Sequence, residues 1–206
     1  MEIMNQLEKL KKFAEQKMKK NDPAHDFEHI MRVYHNAEKI CKNEYGNKKL
    51  ILSAVLLHDV VKIRNKKNSA LQSAKISEKI LRNNSFSNDE IIIICDAIKD
   101  HSFSKGKTPS TIEGKILQDA DRLDAMGAIG LARVFSFSGS NNRSFYHPLD
   151  PFSKNRILND KKWALDHFFE KLLLLESKMN TKTGKLLAKK RTKILKNFLK
   201  EIKNEI

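Results

Sequence analysis

Residues 48–59 read KKLILSAVLLHD. After two lysines the chain is apolar from Leu50 to Leu57 except at Ser53, and it then closes on His58 and Asp59. A run that is apolar on every side reads as a helix buried around its whole circumference. Such a helix needs other helices around it, and the flanking sequence provides them. Residues 2–19 place Ile3, Leu7, Leu10 and Phe13 at helical spacing. Asn21-Asp22-Pro23 ends that helix and starts another, with Pro23 in its first turn and Ile30, Val33, Ala37 and Ile40 on one face as far as about Asn43. Tyr45-Gly46-Asn47 is a turn. Downstream, Ser69 is placed to cap a helix through about Asn83. Ser87 and Glu90 form a capping-box signature ahead of IIIICDAIKDH, whose cap and length favour helix over strand. Ser110 and Glu113 repeat that signature before one helix containing QDADRLDAMGAIGLARVF. A polar loop with aromatics occupies 138–156, and helices follow at roughly 158–178 and 182–204. The expectation is an all-α single domain of about eight helices spanning 1–206, with the basic C-terminal helix at 181–206 packed on it.

Composition narrows the class of protein. The chain has 206 residues, and 40% are apolar, too many for a disordered polymer. Seven glycines and four prolines exclude collagen-like and low-complexity architectures. Cys41 and Cys95 form no CxxC pair and sit in apolar helical surroundings, so they read as reduced core residues. The start, MEIMNQLEKLKKF, is charged from its second residue and is not a secretory signal. No apolar run approaches the roughly 18 residues of a membrane span. A cytoplasmic protein without a membrane partner is expected. Glycine-rich phosphate loops and the GxSxG elbow are absent.

Lys and Arg total 40 against 25 Asp and Glu, a formal charge of +15. That figure invites a nucleic-acid reading. The lysines, however, spread over most of the chain, do not interleave with aromatics and form no DNA- or RNA-binding motif. No specific nucleic-acid partner is expected. The basic C-terminal stretch reads as a solvated face, which leaves a polyanion-binding basic protein as an alternative of another class.

Four polar clusters interrupt the apolar pattern: His25-Asp26-Phe27-Glu28-His29, His58-Asp59, Asp100-His101, and Asp119-Ala120-Asp121-Arg122-Leu123-Asp124. His25 and His29 are four residues apart, on one helix face. A carboxylate at the end of the most buried helix is costly to desolvate without a partner. Histidines and carboxylates ending buried helices suggest a divalent metal, since imidazole with carboxylate suits Mn, Fe, Co, Ni or Zn. Neighbouring helical residues diverge by about 100°. His58 and Asp59 can therefore reach one ion only if the helix ends there, which the basic stretch after Val60 fits. Buried polar networks and helix caps are the alternative.

These residues carry a family likeness. HDFEHIMRV at 25–33, AVLLHDVVK at 54–62 and DADRLDAMGAIGLAR at 119–133 resemble the successive motifs of the HD-domain phosphohydrolase superfamily. KDHSF at 99–103 and FYHPLDPF at 145–152 resemble a bacterial subgroup of small, single-domain members that includes manganese-dependent nucleoside triphosphate pyrophosphohydrolases. The likeness covers roughly residues 20–180. It implies His29, His58, Asp59 and Asp121 as metal ligands, with Asp119 and Asp124 as competitors for the last place. Manganese is the first candidate, with Mg, Co, Ni, Fe or Zn as alternatives.

The activity implied is hydrolysis of a (deoxy)nucleoside triphosphate to monophosphate and pyrophosphate. A nucleoside 5′-monophosphatase, another small phosphoester hydrolase or a non-catalytic nucleotide sensor are the alternatives. The partner would be a small phosphate-bearing molecule, and the protein a monomer or homodimer. His25, Asp59 and His101 are the catalytic candidates. Arg32, Lys62, Lys105, Arg122 and Arg143 are candidates for a phosphate clamp; Asp124 for a sugar hydroxyl; Tyr146 and His147 for stacking on a base or closing over the site. Lys62 stands where the subgroup has an acidic residue, either removing a supporting carboxylate or setting a cation against a phosphate. Helix-end pairing with Arg122, Arg133 or nearby lysines is the alternative role for Asp119 and Asp124.

Overall fold

The computed structural model describes residues 2–18, 26–61, 69–102 and 106–206. They form nine α-helices and two short 3₁₀ turns; strands are absent among the described residues, which include one isolated bridge between Ser144 and Trp163. The chain divides into two compact units, 1–121 and 122–206.

In the first unit the buried helix is α3, Lys48–Leu57. All residues from Leu50 to Leu57 are buried, and Asn47 caps the helix by accepting from the Lys49 and Leu50 N–H groups. Around α3 pack α1 (Glu2–Met18), α2 (Phe27–Cys41), α4 (Ser69–Arg82) and α5 (Asn88–Asp100). Each turns an apolar stripe inward. On α2 that stripe is Ile30, Val33, Ala37 and Ile40, with His29 and Asn36 buried among them. Asp26 caps α2 by accepting from the His29 N–H. The helix boundary expected at Pro23 lies outside the described residues. At Ser87 the expected capping box is present in both directions.

The helix α6, Ile112–Asp124, starts differently from the sequence expectation. Thr111 is the cap, accepting from the Gly114 N–H, while Glu113 accepts from the Asn47 N–H. The continuous helix expected through Phe135 is also broken. A second helix, α7, runs Gly127–Ser140, and Gly127 has φ +70°. That left-handed conformation suits glycine. A Cβ on Gly130 would meet the Ala125 carbonyl oxygen at 2.2 Å, so the sharp junction needs glycine there too.

The second unit also departs from the expected helix over 158–178. Only α8, Asp166–Glu170, and 3₁₀ turns at Leu172–Leu174 and Glu176–Lys178 form. Side chains hold the preceding segment in irregular form. The Asp150 carboxylate accepts from the Lys154 and Asn155 N–H groups. Arg156 grips the fully buried Asp166 through two parallel bonds of 2.6 and 2.7 Å. The Asn159 N–H donates to the same carboxylate. Burial alone would raise the Asp166 pKa, but these donors outweigh it and hold the carboxyl below its ordinary value. The long helix α9, Lys182–Glu205, capped by Thr181, packs against α7 and the 3₁₀ turns. Phe135, Phe168 and Phe198 cluster with ring centroids 5.6–6.3 Å apart.

Neither cysteine is paired, and burial pushes the Cys95 thiol up to about 11. Among the described residues no helix is long and apolar enough to cross a membrane.

Candidate metal centre

Four helix ends in the first unit bring five side chains together. His29 comes from the first turn of α2, His58 and Asp59 from the end of α3, His101 from the end of α5, and Asp121 from α6. His29 Nε2 is 3.6 Å from Asp121 Oδ1 and 4.0 Å from Asp59 Oδ2. His101 Nε2 is 3.9 Å from Asp59 Oδ1. The His58 ring lies between the other two, with centroids 5.4 Å from His29 and 4.9 Å from His101. Donor atoms of His29, His58 and Asp121 lie within 4.8 Å of one another, as do those of His58, Asp59 and His101.

The termination of α3 at Leu57 decides how the adjacent His58 and Asp59 both reach the cluster. His58 Nδ1 lies 2.7 Å from the Val55 carbonyl oxygen. A carbonyl only accepts, so Nδ1 carries the hydrogen and Nε2 presents a lone pair. His101 repeats the arrangement: its Nδ1 is 2.7 Å from the Ile98 carbonyl. Both rings therefore close the last turn of their helix through one nitrogen and offer the other to the cluster. This is how ligating histidines are oriented in metal sites. His58 is fully buried, and its Nε2 has no hydrogen-bond partner. Burial pushes its pKa down to about 4, against the opposing pull of Asp59.

These residues fit a divalent cation. Two donors bound at about 2.1 Å can lie at most about 4.2 Å apart, and the distances of 3.6–4.0 Å fall inside that limit. Imidazole nitrogens with carboxylates form a donor set for Mn, Fe, Co, Ni or Zn. The orphaned Nε2 of His58 is the clearest sign, since a buried acceptor without a partner costs stability unless something binds it.

Asp119 is fully buried. Asp124, also buried, belongs to the second unit, where the Arg133 guanidinium donates to it, the pairing that stood as its alternative role. Arg122, buried in that unit, donates to the Lys178 carbonyl. Arg143 stacks over Phe137, and Tyr146 is half-buried. His147 Nδ1 accepts from the Leu149 and Asp150 N–H groups, and its ring meets the edge of Trp163. Arg32 is half-buried on α2, one turn beyond His29. His25, Lys62 and Lys105 lie outside the described residues.

Residues that the sequence reading did not select stand behind the cluster. Asn36, two turns along α2 from His29, donates to the Ala120 carbonyl beside Asp121. Ser73 accepts from the Val61 N–H just after the His-Asp pair. Gln118, one turn before Asp121, donates to the Asp100 and Lys107 carbonyls. The available signal was a polar residue at a helix position otherwise occupied by apolar ones.

Comparison with known proteins places the chain in a family. The model of the HD domain matches residues 26–126, a span containing all five residues of the cluster. YpgQ of Bacillus subtilis is 29% identical over the whole of this chain and 96% of its own length. A crystal structure of YpgQ in complex with ADP superposes with a TM-score of 0.81, covering 100% of this chain and 97% of that one. An HD-superfamily hydrolase from Bacillus thuringiensis is 32% identical, with a TM-score of 0.79 and coverage of 98% and 97%. A Lactobacillus plantarum protein is 33% identical, with a TM-score of 0.79 and coverage of 98% and 96%. With its helical fold, its His-Asp pair at the end of a buried helix and full-length similarity to such hydrolases, the chain belongs to the HD-domain superfamily.

Proposed function

We propose that the protein is a divalent-metal-dependent hydrolase of nucleoside triphosphates, releasing monophosphate and pyrophosphate. The observation that carries this reading is the convergence of three imidazoles and two carboxylates, with His58 Nε2 buried and unpartnered. The complex of YpgQ with ADP supports a nucleotide as the small-molecule partner. His29, His58, Asp59 and Asp121 would hold the ion, with manganese as the first candidate. When bound, the ion supplies positive charge that polarises a phosphoryl oxygen and makes water acidic enough to act near neutral pH.

The remaining chemistry belongs to the chain. Water adds to the α-phosphorus, the bond from that phosphorus to the α–β bridging oxygen breaks, and pyrophosphate leaves with the electron pair. His101 Nε2, the acceptor nitrogen of the neutral tautomer that the Ile98 bond at Nδ1 selects, faces Asp59 and accepts the proton of the attacking water. Arg32 on α2 is the candidate phosphate contact among the described residues of the first unit. Most of the catalytic effect comes from placing reactants and neutralising charge, as is general in phosphoryl transfer.

The test is product analysis. Purified protein with Mn²⁺ and a panel of nucleoside triphosphates is expected to release pyrophosphate and monophosphate in equal amounts. Orthophosphate released from monophosphates would assign a nucleotidase instead. Absence of turnover with every metal and nucleotide would overturn the enzyme reading. His58→Ala, which removes the orphaned nitrogen, is expected to lose bound metal by elemental analysis and to lose activity with it.

A further inference from the structure

Gln118 lies on α6, one turn before Asp121, and is fully buried. Its Nε2 donates both of its hydrogens, one to the Asp100 carbonyl at 3.1 Å and the other to the Lys107 carbonyl at 2.9 Å. The Asp100 carbonyl is the last of α5 and has no partner within the helix, as for any helix end. The next residue is His101, whose ring is tied back to the Ile98 carbonyl. Two of the orphan carbonyls at the end of α5 are thus taken by the His101 ring and by Gln118. One carboxamide on the helix that delivers Asp121 therefore fixes the backbone on which His101 stands. A buried amide satisfied on two sides holds this geometry rigidly.

We infer that Gln118 is a positioning residue for hydrolysis, acting through His101 and not by touching substrate or metal. The inference rests on the hydrolase reading above. Gln118→Met keeps the volume and removes both donors. Its expected effect is a loss of kcat of about tenfold to a hundredfold, the scale of a misplacement near 1 Å. KM and bound metal should stay close to wild type, because the proposed ligands His29, His58, Asp59 and Asp121 are untouched.

The deciding measurement is a double-mutant cycle with His101→Ala. If Gln118 acts through His101, Gln118→Met lowers kcat no further in the His101→Ala background. Additive losses, or a kcat unchanged by Gln118→Met alone, would overturn the inference. Nitrogen and proton NMR of the His101 imidazole gives a readout independent of turnover. Its resonances should move in Gln118→Met and not in an exposed-surface control such as Lys75→Ala. Unmoved resonances overturn the positioning role, whereas lack of turnover in the wild type defeats the hydrolase reading alone.

Should Gln118→Met fail to fold, Gln118→Glu preserves the shape. Its carboxylate would face two carbonyl oxygens, and its protonated form would restore only one donor. With the carboxylate ionised, the loss of kcat is expected to be at least that of Gln118→Met, and to shrink relative to wild type as pH is lowered and one donor returns. Wild-type activity at every pH would overturn the inference.

Discussion

His58 shows how much one side chain can reveal. Its place after a run that is apolar but for Ser53 marks it in the sequence, and the carbonyl of Val55 settles which ring nitrogen faces the cluster. The same burial sets a pH dependence. The imidazole titrates near 6.5 in an unfolded chain but near 4 in the folded protein. Between those values the unfolded state binds more protons, so stability rises with pH across that window. The stabilisation is present in full above pH 6.5 and is lost as pH falls through 4. At about 1.4 kcal/mol per pH unit it amounts to about 3 kcal/mol. Thermal melts of metal-free protein should therefore show Tm falling from pH 7 to pH 4.5. A flat Tm across that range would contradict the burial argument. Asn36 and Gln118 were not legible in this way. Their amides bond backbone carbonyls more than eighty and up to eighteen residues away, respectively, and nothing local marks those partners.

At the level of elements, helices with strong local signals formed as the sequence indicates. The Ser87–Glu90 capping box is one example, because both of its bonds join residues three apart. Ser87→Ala should cost about 1 kcal/mol, read as a lowered urea midpoint at unchanged slope. The second signature misleads by one residue. Thr111 is the residue whose hydroxyl accepts from the helix, whereas Ser110 is exposed and Glu113 has been drawn to Asn47. Thr111→Ala should cost a similar amount, and Ser110→Ala less than about 0.5 kcal/mol. Equal effects of the two substitutions would refute this assignment. The region 158–178 was the least legible. Its apolar spacing suits a helix, but Asp166, Arg156 and Asp150 satisfy backbone and side-chain groups in an irregular path. Competition of this kind between side chains and helical backbone bonds is not visible in periodicity.

At the scale of the whole chain, charge and unit structure bear on different questions. The +15 is spread over the sequence, and the candidate site gathers carboxylates and imidazoles instead. The two compact units meet in sequence within α6, between Asp121 and Arg122. We propose that they unfold together as the single domain the sequence suggests. Calorimetry is expected to give one transition whose calorimetric and van't Hoff enthalpies agree, and two separated transitions would overturn that proposal. From its sequence alone the chain was determined to be all-helical, with a helix buried on every side and a His-Asp pair at its end. These follow from hydrophobic periodicity and local capping, which act over a few residues. The family resemblance implied His29, His58, Asp59 and Asp121 as ligands of one ion; only the tertiary structure decided how closely they and His101 approach, which ring nitrogens face the cluster, and which amides brace it. Those facts depend on where four separate helices end relative to one another, and that is set by packing between residues far apart in the chain.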